Sequence, residues 1–310
     1  MIVKLLSNSR YNESNATASV VASGTQKAIF GYGYIGSVVS MTNLVSNTGV
    51  VAIDTTGVGT ARSDLAAAGY GSDKAIFGYG HDGSVGIVSM TNKVSNTGIV
   101  ATDTTGVGTA RQVLAAAGYG SDKAIFGYGN TGAVVSMTNL VSNTGVVATD
   151  TTGVGTARIF LAAAGYGTDK AIFGYGYTSG VVSMTNLVSN TGVVATDTTG
   201  VGTARYTLAA AGYGTDKAIF GYGIVSAAVS MTNLVSNTGV VAIDTTGVGT
   251  ARYLLAAAGY GSDKAIFGYG YSSTYVSTTN LVSNTGIVAT DTTGVGTGRN
   301  YLAAAGYSTT

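Results

Sequence analysis

Six aspartates recur at equivalent places in this chain: Asp54, Asp103, Asp150, Asp197, Asp244 and Asp291. A ring of carboxylates suits a hard cation such as Ca²⁺, which takes oxygen ligands. Each copy of the surrounding text also carries a lysine and an arginine. A repeated ion pair or a turn-capping aspartate therefore accounts for the same spacing, and no metal and no other cofactor is expected. His81 is the only histidine and Glu13 the only glutamate. We read the lone histidine as arguing against a His-based metal centre and against a catalytic triad. Asp82, beside it, reads as an isolated acid in a surface loop. Catalysis by paired carboxylates needs two acids in unlike environments, whereas nearly every acid here sits in the same repeated one. The chain is therefore expected not to be an enzyme.

Three segments, "GYGYIG" (31–36), "GYGHDG" (78–83) and "GYGNTG" (127–132), satisfy the G-x-G-x-x-G dinucleotide pattern. That pattern works only where a helix follows and turns its N-terminus to the pyrophosphate; here another strand follows, so these are glycine-rich turns. The net charge is +1 with few charges of either sign, which gives no electrostatic footprint for nucleic acid. There is no cysteine, and no apolar run approaches the length of a membrane span, so neither disulfides nor membrane insertion is expected. The opening "MIVKLLSNSR" is too short an apolar run for a signal peptide, and a soluble protein is the expectation.

The elements that hold these residues follow from the repeat. "KAIFGYG" begins at Lys27, Lys74, Lys123, Lys170, Lys217 and Lys264, a step of 47 residues with one of 49, and an arginine closes each copy at Arg62, Arg111, Arg158, Arg205, Arg252 and Arg299. With 48 glycines, 20 tyrosines, abundant Val and Thr, and no proline, the composition favours strands. In the copy from Arg158, four runs separated by turn residues are predicted strands: "LAAAGY" (161–166), "KAIFGYG" (170–176), "VSMTNLVSN" (182–190) and "VVATDTT" (193–199). Short connections make neighbours antiparallel.

Six copies of four such strands fit an all-β fold, a β-propeller of six four-stranded blades occupying residues 20–310 as one domain. Runs of alanine and glycine in strand one suit the crowding at a propeller's axis. Strand one occurs once too often, since "VVASGTQ" (20–26) precedes the first copy and "LAAAGY" (302–307) follows the last. Residues 1–19 are an N-terminal segment whose "IVKLLSN" (2–8) lines up with "MTNLVSN" (41–47), so a seventh, partial blade built from both termini stays open. A linear β-solenoid is the rival architecture.

The order of arginine, small apolar strand, "IFGYG" strand, third strand, turn and fourth strand resembles the kelch-type propeller blade. "TARYTLAAAGYGTDKAIFGYG" (203–223) is similar to the divergent kelch-like repeats in structural proteins of tailed bacteriophages. The tryptophan of a typical kelch strand four is absent, and "GYG" stands in place of the paired glycines. The resemblance implies the architecture and a phage-particle or extracellular setting, with a cell-surface protein or glycan, or another virion protein, as partner.

Two windows change from copy to copy. After strand two stand Tyr34 and Ile35, His81 and Asp82, Asn130, Tyr177, Ile224 and Val225, and Tyr271 with Tyr275. After the arginine stand Ser63 and Asp64, Gln112 and Val113, Ile159 and Phe160, Tyr206 and Thr207, Tyr253 and Leu254, and Asn300 and Tyr301. In an up-down-up-down sheet both windows emerge at the same end, so one face carries changing side chains on a fixed scaffold. Its Tyr, Ser, Gly, Thr and Asn content matches that of antibody binding loops, and Ile159, Phe160, Ile224, Val225 and Leu254 are expected to expose an apolar patch. The tyrosines of "GYG" and "AGYG", by contrast, are read as packing residues between blades. The expected function is adhesion or binding to cell-surface carbohydrate or protein; the alternative is a structural, self-assembling virion protein without a host ligand.

Overall fold

The structure, a computed structural model, describes residues 26–308. The proposed strand at 2–8 and Glu13 lie outside them. The chain is all β: among the described residues there is no helix, and so none long and apolar enough to cross a membrane. The strands are β1 (Gln26–Tyr34), β2 (Val38–Val45), β3 (Ala66–Tyr70), β4 (Lys74–Gly78), β5 (Thr91–Val94) and β6 (Ala115–Tyr119). Then come β7 (Lys123–Gly127), β8 (Thr138–Val141), β9 (Ala162–Tyr166), β10 (Lys170–Tyr177), β11 (Val181–Val188) and β12 (Ala209–Tyr213). The last are β13 (Lys217–Gly221), β14 (Thr232–Val235), β15 (Ala256–Tyr260), β16 (Lys264–Gly268), β17 (Thr279–Val282) and β18 (Ala303–Ser308).

These strands form six three-stranded antiparallel sheets. Five are built from consecutive strands, β3–β5, β6–β8, β9–β11, β12–β14 and β15–β17, here the second to sixth sheets. The first has the order β18-β1-β2, with Gln26 opposite Ser308 and Gly31 opposite Ala303. The surplus C-terminal copy of strand one is thus the strand the first sheet lacks, and both edges of β1 are occupied.

The predicted fourth strand is reduced. It meets strand three only at isolated bridges, such as Thr185 with Thr198 and Val188 with Val194. Between those bridges the Asn186 amide Nδ2 donates to the Ala195 carbonyl at 3.0 Å and to Asp197 Oδ1 at 2.9 Å. A side chain takes the place of a ladder bond, and the segment bends to carry the aspartate inward.

Strand one of each sheet touches strand one of the next, from β3 through β6, β9, β12 and β15 to β18 and back to β3. Each inter-sheet seam holds an apolar cluster. At one of them Tyr79 and Leu114 pack with Ile76, Phe126 and Val141. The "GYG" tyrosines are fully buried there, with rings tilted on the next sheet's phenylalanine at 5.1 Å, from Tyr32–Phe77 round to Tyr269–Phe30. Their hydroxyls donate to a valine carbonyl, Tyr79 to Val107 at 3.1 Å. These tyrosines adopt positive φ, 65° at Tyr79, where the ladder bulges. The glycine before each admits the neighbouring ring: a Cβ on Gly78 would lie 2.8 Å from Phe126 Cζ.

The seams are also stapled by charge. Arg205 is fully buried and stacks over the Tyr175 ring at 4.5 Å while donating to Tyr222 O, Thr203 O and Asn233 Oδ1 at 2.9, 3.1 and 2.6 Å. Asp244 stands 3.7 Å from Nη1 and accepts from the Thr203 hydroxyl at 2.6 Å. Equivalent Arg–Asp pairs lie at 3.7–3.8 Å in all six seams, including Arg299–Asp54 between the chain's two ends. Burial works to raise the Asp244 pKa, but bonds from Thr203 and Asn233 and the Arg205 charge outweigh it and hold the carboxyl below its ordinary value.

Candidate functional site

The two variable windows meet. Tyr206 and Ile224 bridge one another, with Tyr206 N donating to Ile224 O at 3.2 Å and Ile224 N to Tyr206 O at 3.0 Å. The same bridge joins Ser63 to His81, Gln112 to Asn130, Ile159 to Tyr177, Tyr253 to Tyr271 and Asn300 to Tyr34. Both windows therefore extend one end of every sheet.

The second residue after each arginine forms an inner ring. Val113 N donates to Asp64 O at 2.9 Å, Phe160 N to Val113 O at 3.0 Å, and Thr207 N to Phe160 O at 2.9 Å. Leu254 N bonds Thr207 O at 2.9 Å, Tyr301 N bonds Leu254 O at 3.1 Å, and Asp64 N returns to Tyr301 O at 3.1 Å. Six backbone hydrogen bonds thus run in an unbroken cycle through all six sheets. All six residues hold positive φ, from 52° at Val113 to 58° at Asp64, a costly conformation for β-branched Val113 and Thr207. Together with Leu65, Leu114, Leu161, Leu208, Leu255 and Leu302 they line a cavity of about 80 Å³.

At the opposite end a second cycle of bonds, such as Gly71 N to Asp122 O at 2.7 Å and Ser308 N to Asp73 O at 3.0 Å, links the turns before strand two. The larger cavity, about 460 Å³, opens there. It is lined by near-identical residues from each copy, and Lys74, Lys123, Lys170, Lys217 and Lys264 each pair with the preceding aspartate at 2.6–3.1 Å.

The outer face is lopsided. The second and third sheets present Ser63, His81, Gln112 and Asn130, while the other four carry the aromatics. Phe160 and Tyr177 pack on Tyr206 at 6.0 and 5.5 Å. Tyr253, Tyr271, Tyr275 and Tyr34 follow one another at 5.6, 5.6 and 6.2 Å. Burial, with the neighbouring Asp64 and tyrosine hydroxyls adding to it, pushes the Tyr301 hydroxyl up to about 12.

Two expectations need correction. Ile159, Phe160, Ile224, Val225 and Leu254 are half-buried by the bridges and by the inner ring, so they do not form an exposed patch. Most exposed apolar side chains sit on the reduced fourth segment, Val50, Ile53, Ile99, Val146, Val193, Val240, Ile243 and Ile287 at 61–78 %, while the loops after strand two expose Val85 and, less, Val134 and Tyr177. Asp82 is no surface acid either: it is buried, and its Oδ1 accepts from Ser84, Val85 and Gly86 N–H at 2.7–3.0 Å. That oxygen closes the residue's own loop.

A single histidine is enough for a triad, and Ser63, Asp64 and His81 do come together on the second sheet. The wiring is not that of a nucleophile and base. Ser63 Oγ donates to Asp64 Oδ2 at 2.8 Å, and His81 Nδ1 accepts from Gly83 N at 3.0 Å. Asp64 stands in the variable window after the arginine, but is not among the ligand residues expected from the sequence. Its signal was present, since it alone among the six ring positions carries a charge. The six repeated aspartates are engaged by arginine, threonine and asparagine at the seams, and among the described residues no three His, Cys, Asp or Glu side chains are grouped as for a metal ion. No family model and no curated protein matches the chain.

Proposed function

We propose that the six sheets are the blades of a closed, kelch-like β-propeller, and that the face bearing the two windows is a non-enzymatic recognition surface. Two hydrogen-bond cycles and the pairing of β18 with β1 support the ring; on this reading β18 completes the first of six blades and no seventh is needed. The observation that carries the recognition reading is the meeting of the windows. The residues that differ between copies are bonded to each other at one end, whereas the far end repeats itself.

The ligand class that fits is carbohydrate. Tyrosines offer flat apolar faces to sugar rings, and Ser, Asn and Gln supply adaptable hydrogen bonds on the neighbouring sheets. Adhesion to a cell-surface glycan, with the protein carried on a phage particle or displayed outside the cell, is the setting the resemblance suggests. The test is a glycan array on the purified full chain alongside light scattering. A defined glycan bound by a monomer, and weakened by Tyr206→Ala and Tyr271→Ala, is the expected result; an array with no binding removes this reading.

A second reading draws on the periphery. Eight exposed β-branched residues on the fourth segments, with their broken ladders, suit association between copies. Concentration-dependent polymers that dissolve on Val193→Lys and Val240→Lys would favour this structural role.

A further inference from the structure

Asp64 differs from every other aspartate among the described residues in what answers its charge. Six face a buried arginine at 3.7–3.8 Å. Five have the adjacent lysine at 2.6–3.1 Å. Asp82 has three backbone N–H groups. The Asp64 carboxylate accepts from the Ser63 hydroxyl, and neither a lysine nor an arginine forms an ion pair with it among the described residues. A half-buried carboxylate without a counter-charge is costly, and such groups in a cavity are candidate sites for a cation.

Its surroundings say which cation. Asp64 lines the cavity on the ring axis together with Val113, Phe160, Thr207, Leu254 and Tyr301 and with six leucines. Five of the six lining side chains at ring level are apolar, aromatic or a lone hydroxyl, so a strongly hydrated metal ion would find too few oxygen ligands. Two aromatic rings, one carboxylate and an apolar lining are the parts that hold an organic ammonium, by cation–π attraction and a desolvated ion pair. About 80 Å³ admits a compact head group. The identity of these positions is also free to change: the backbone ring bonds N–H to C=O whatever the side chain, so specificity is set by residue type alone.

We propose that the axial cavity at the variable end binds a compact organic ammonium group, with Asp64 as its counter-charge and Phe160 and Tyr301 as its aromatic walls. The inference shares a face with the carbohydrate reading but does not depend on it. The ammonium belongs either to a free small molecule or to a substituent carried on a larger ligand; the chemistry of the cavity is the same for both.

The test is titration calorimetry of the full chain with choline, against 3,3-dimethylbutan-1-ol as its uncharged counterpart of the same shape. Choline is expected to bind about tenfold more tightly than the alcohol, and Asp64→Asn to remove that preference while the melting curve and elution volume stay as in the parent. If Asp64→Asn fails to fold, raising salt to 0.5 M on the parent protein serves instead: choline binding weakens and binding of the alcohol does not. Equal affinity for the two compounds, a choline affinity indifferent to salt, a folded Asp64→Asn that keeps its preference, or no binding of either compound overturns the proposal. A phosphocholine-decorated and an undecorated glycan, run in the same titration, separate the carried from the free source. Choline bound with no glycan bound leaves this site standing and removes the carbohydrate reading alone.

Discussion

Replacing Arg205 by methionine tests the claim that buried arginines hold the sheets together. The side chain is wholly enclosed and its three donor groups serve Tyr222 O, Thr203 O and Asn233 Oδ1. Methionine fills similar volume but leaves those three acceptors bare, each worth about 1–3 kcal/mol when buried. It also removes the cation stacked on Tyr175 and the partner of Asp244. Apolar packing of the new side chain offsets part of this, so a net loss of about 3–5 kcal/mol is expected, as for breaking one side of a buried pair. At roughly 2.1 cal/mol/K per residue of unfolding entropy, this corresponds to a fall of about 5–8 °C in Tm for a chain of 310 residues. Differential scanning calorimetry reads it directly. Lys217→Met is the control: that lysine is 43 % exposed and pairs with adjacent Asp216 at the surface, where solvent screens the pair, so its loss should leave the melting temperature close to that of the parent. Arg205→Lys should rescue little, because the bonds need the planar fork. An Arg205→Met protein melting within 2 °C of the parent, or no lower than Lys217→Met, would refute the reasoning.

Three further outcomes are expected. Asp54, Asp103, Asp150, Asp197, Asp244 and Asp291 all have pKa values held below the ordinary value in the folded state, so the stability they add is present above the unfolded value near 3.8 and fades as pH falls through the folded one. Melting temperatures should hold from pH 6 to about 4 and then drop; an unchanged Tm at pH 2.5 would mean that these bonds contribute nothing. Burial, opposed in part by the facing arginines, pushes the hydroxyls of Tyr32, Tyr79, Tyr128, Tyr175, Tyr222 and Tyr269 up to about 12. Absorbance at 295 nm should therefore show these six silent at pH 11 in the folded protein and titrating near 10 once it is unfolded in guanidinium. Ending the chain at Asn300 removes β18, exposes one edge of β1 and interrupts both backbone cycles. Such a protein should lose its cooperative melt and aggregate on size exclusion, and a sharp melt near that of the parent would contradict the role given to β18.

Much of the architecture was legible because the repeat forces it. Six "KAIFGYG" runs flanked by turns give the strands, and the up-and-down order puts Tyr206 beside Ile224, as the bridge between them shows. The fourth strand was misread because "VVATDTT" has strand-forming residues, while the competitor lies elsewhere in the chain. Asn186 reaches across and takes the Ala195 carbonyl. The inner ring was invisible for a different reason. Val113, Phe160 and Leu254 are poor residues for positive φ, so nothing local announces a conformation imposed by bonds from neighbouring sheets. The half-burial of Ile224 and Phe160 follows from the same bonds. Asp64 was passed over because its isolation shows only when every other aspartate has been given its partner.

The pairing of the last strand with the first has a consequence for synthesis. β1 leaves the ribosome before the other five sheets, and the strand that covers its second edge, β18, follows all of them. Until β18 emerges the nascent protein carries an open edge, and a product stalled or nicked before it keeps that edge for good. Arrival of β18 is thus the step that covers this edge, and quality control acting on chains that lack it would find its handle at Ile29 and Phe30.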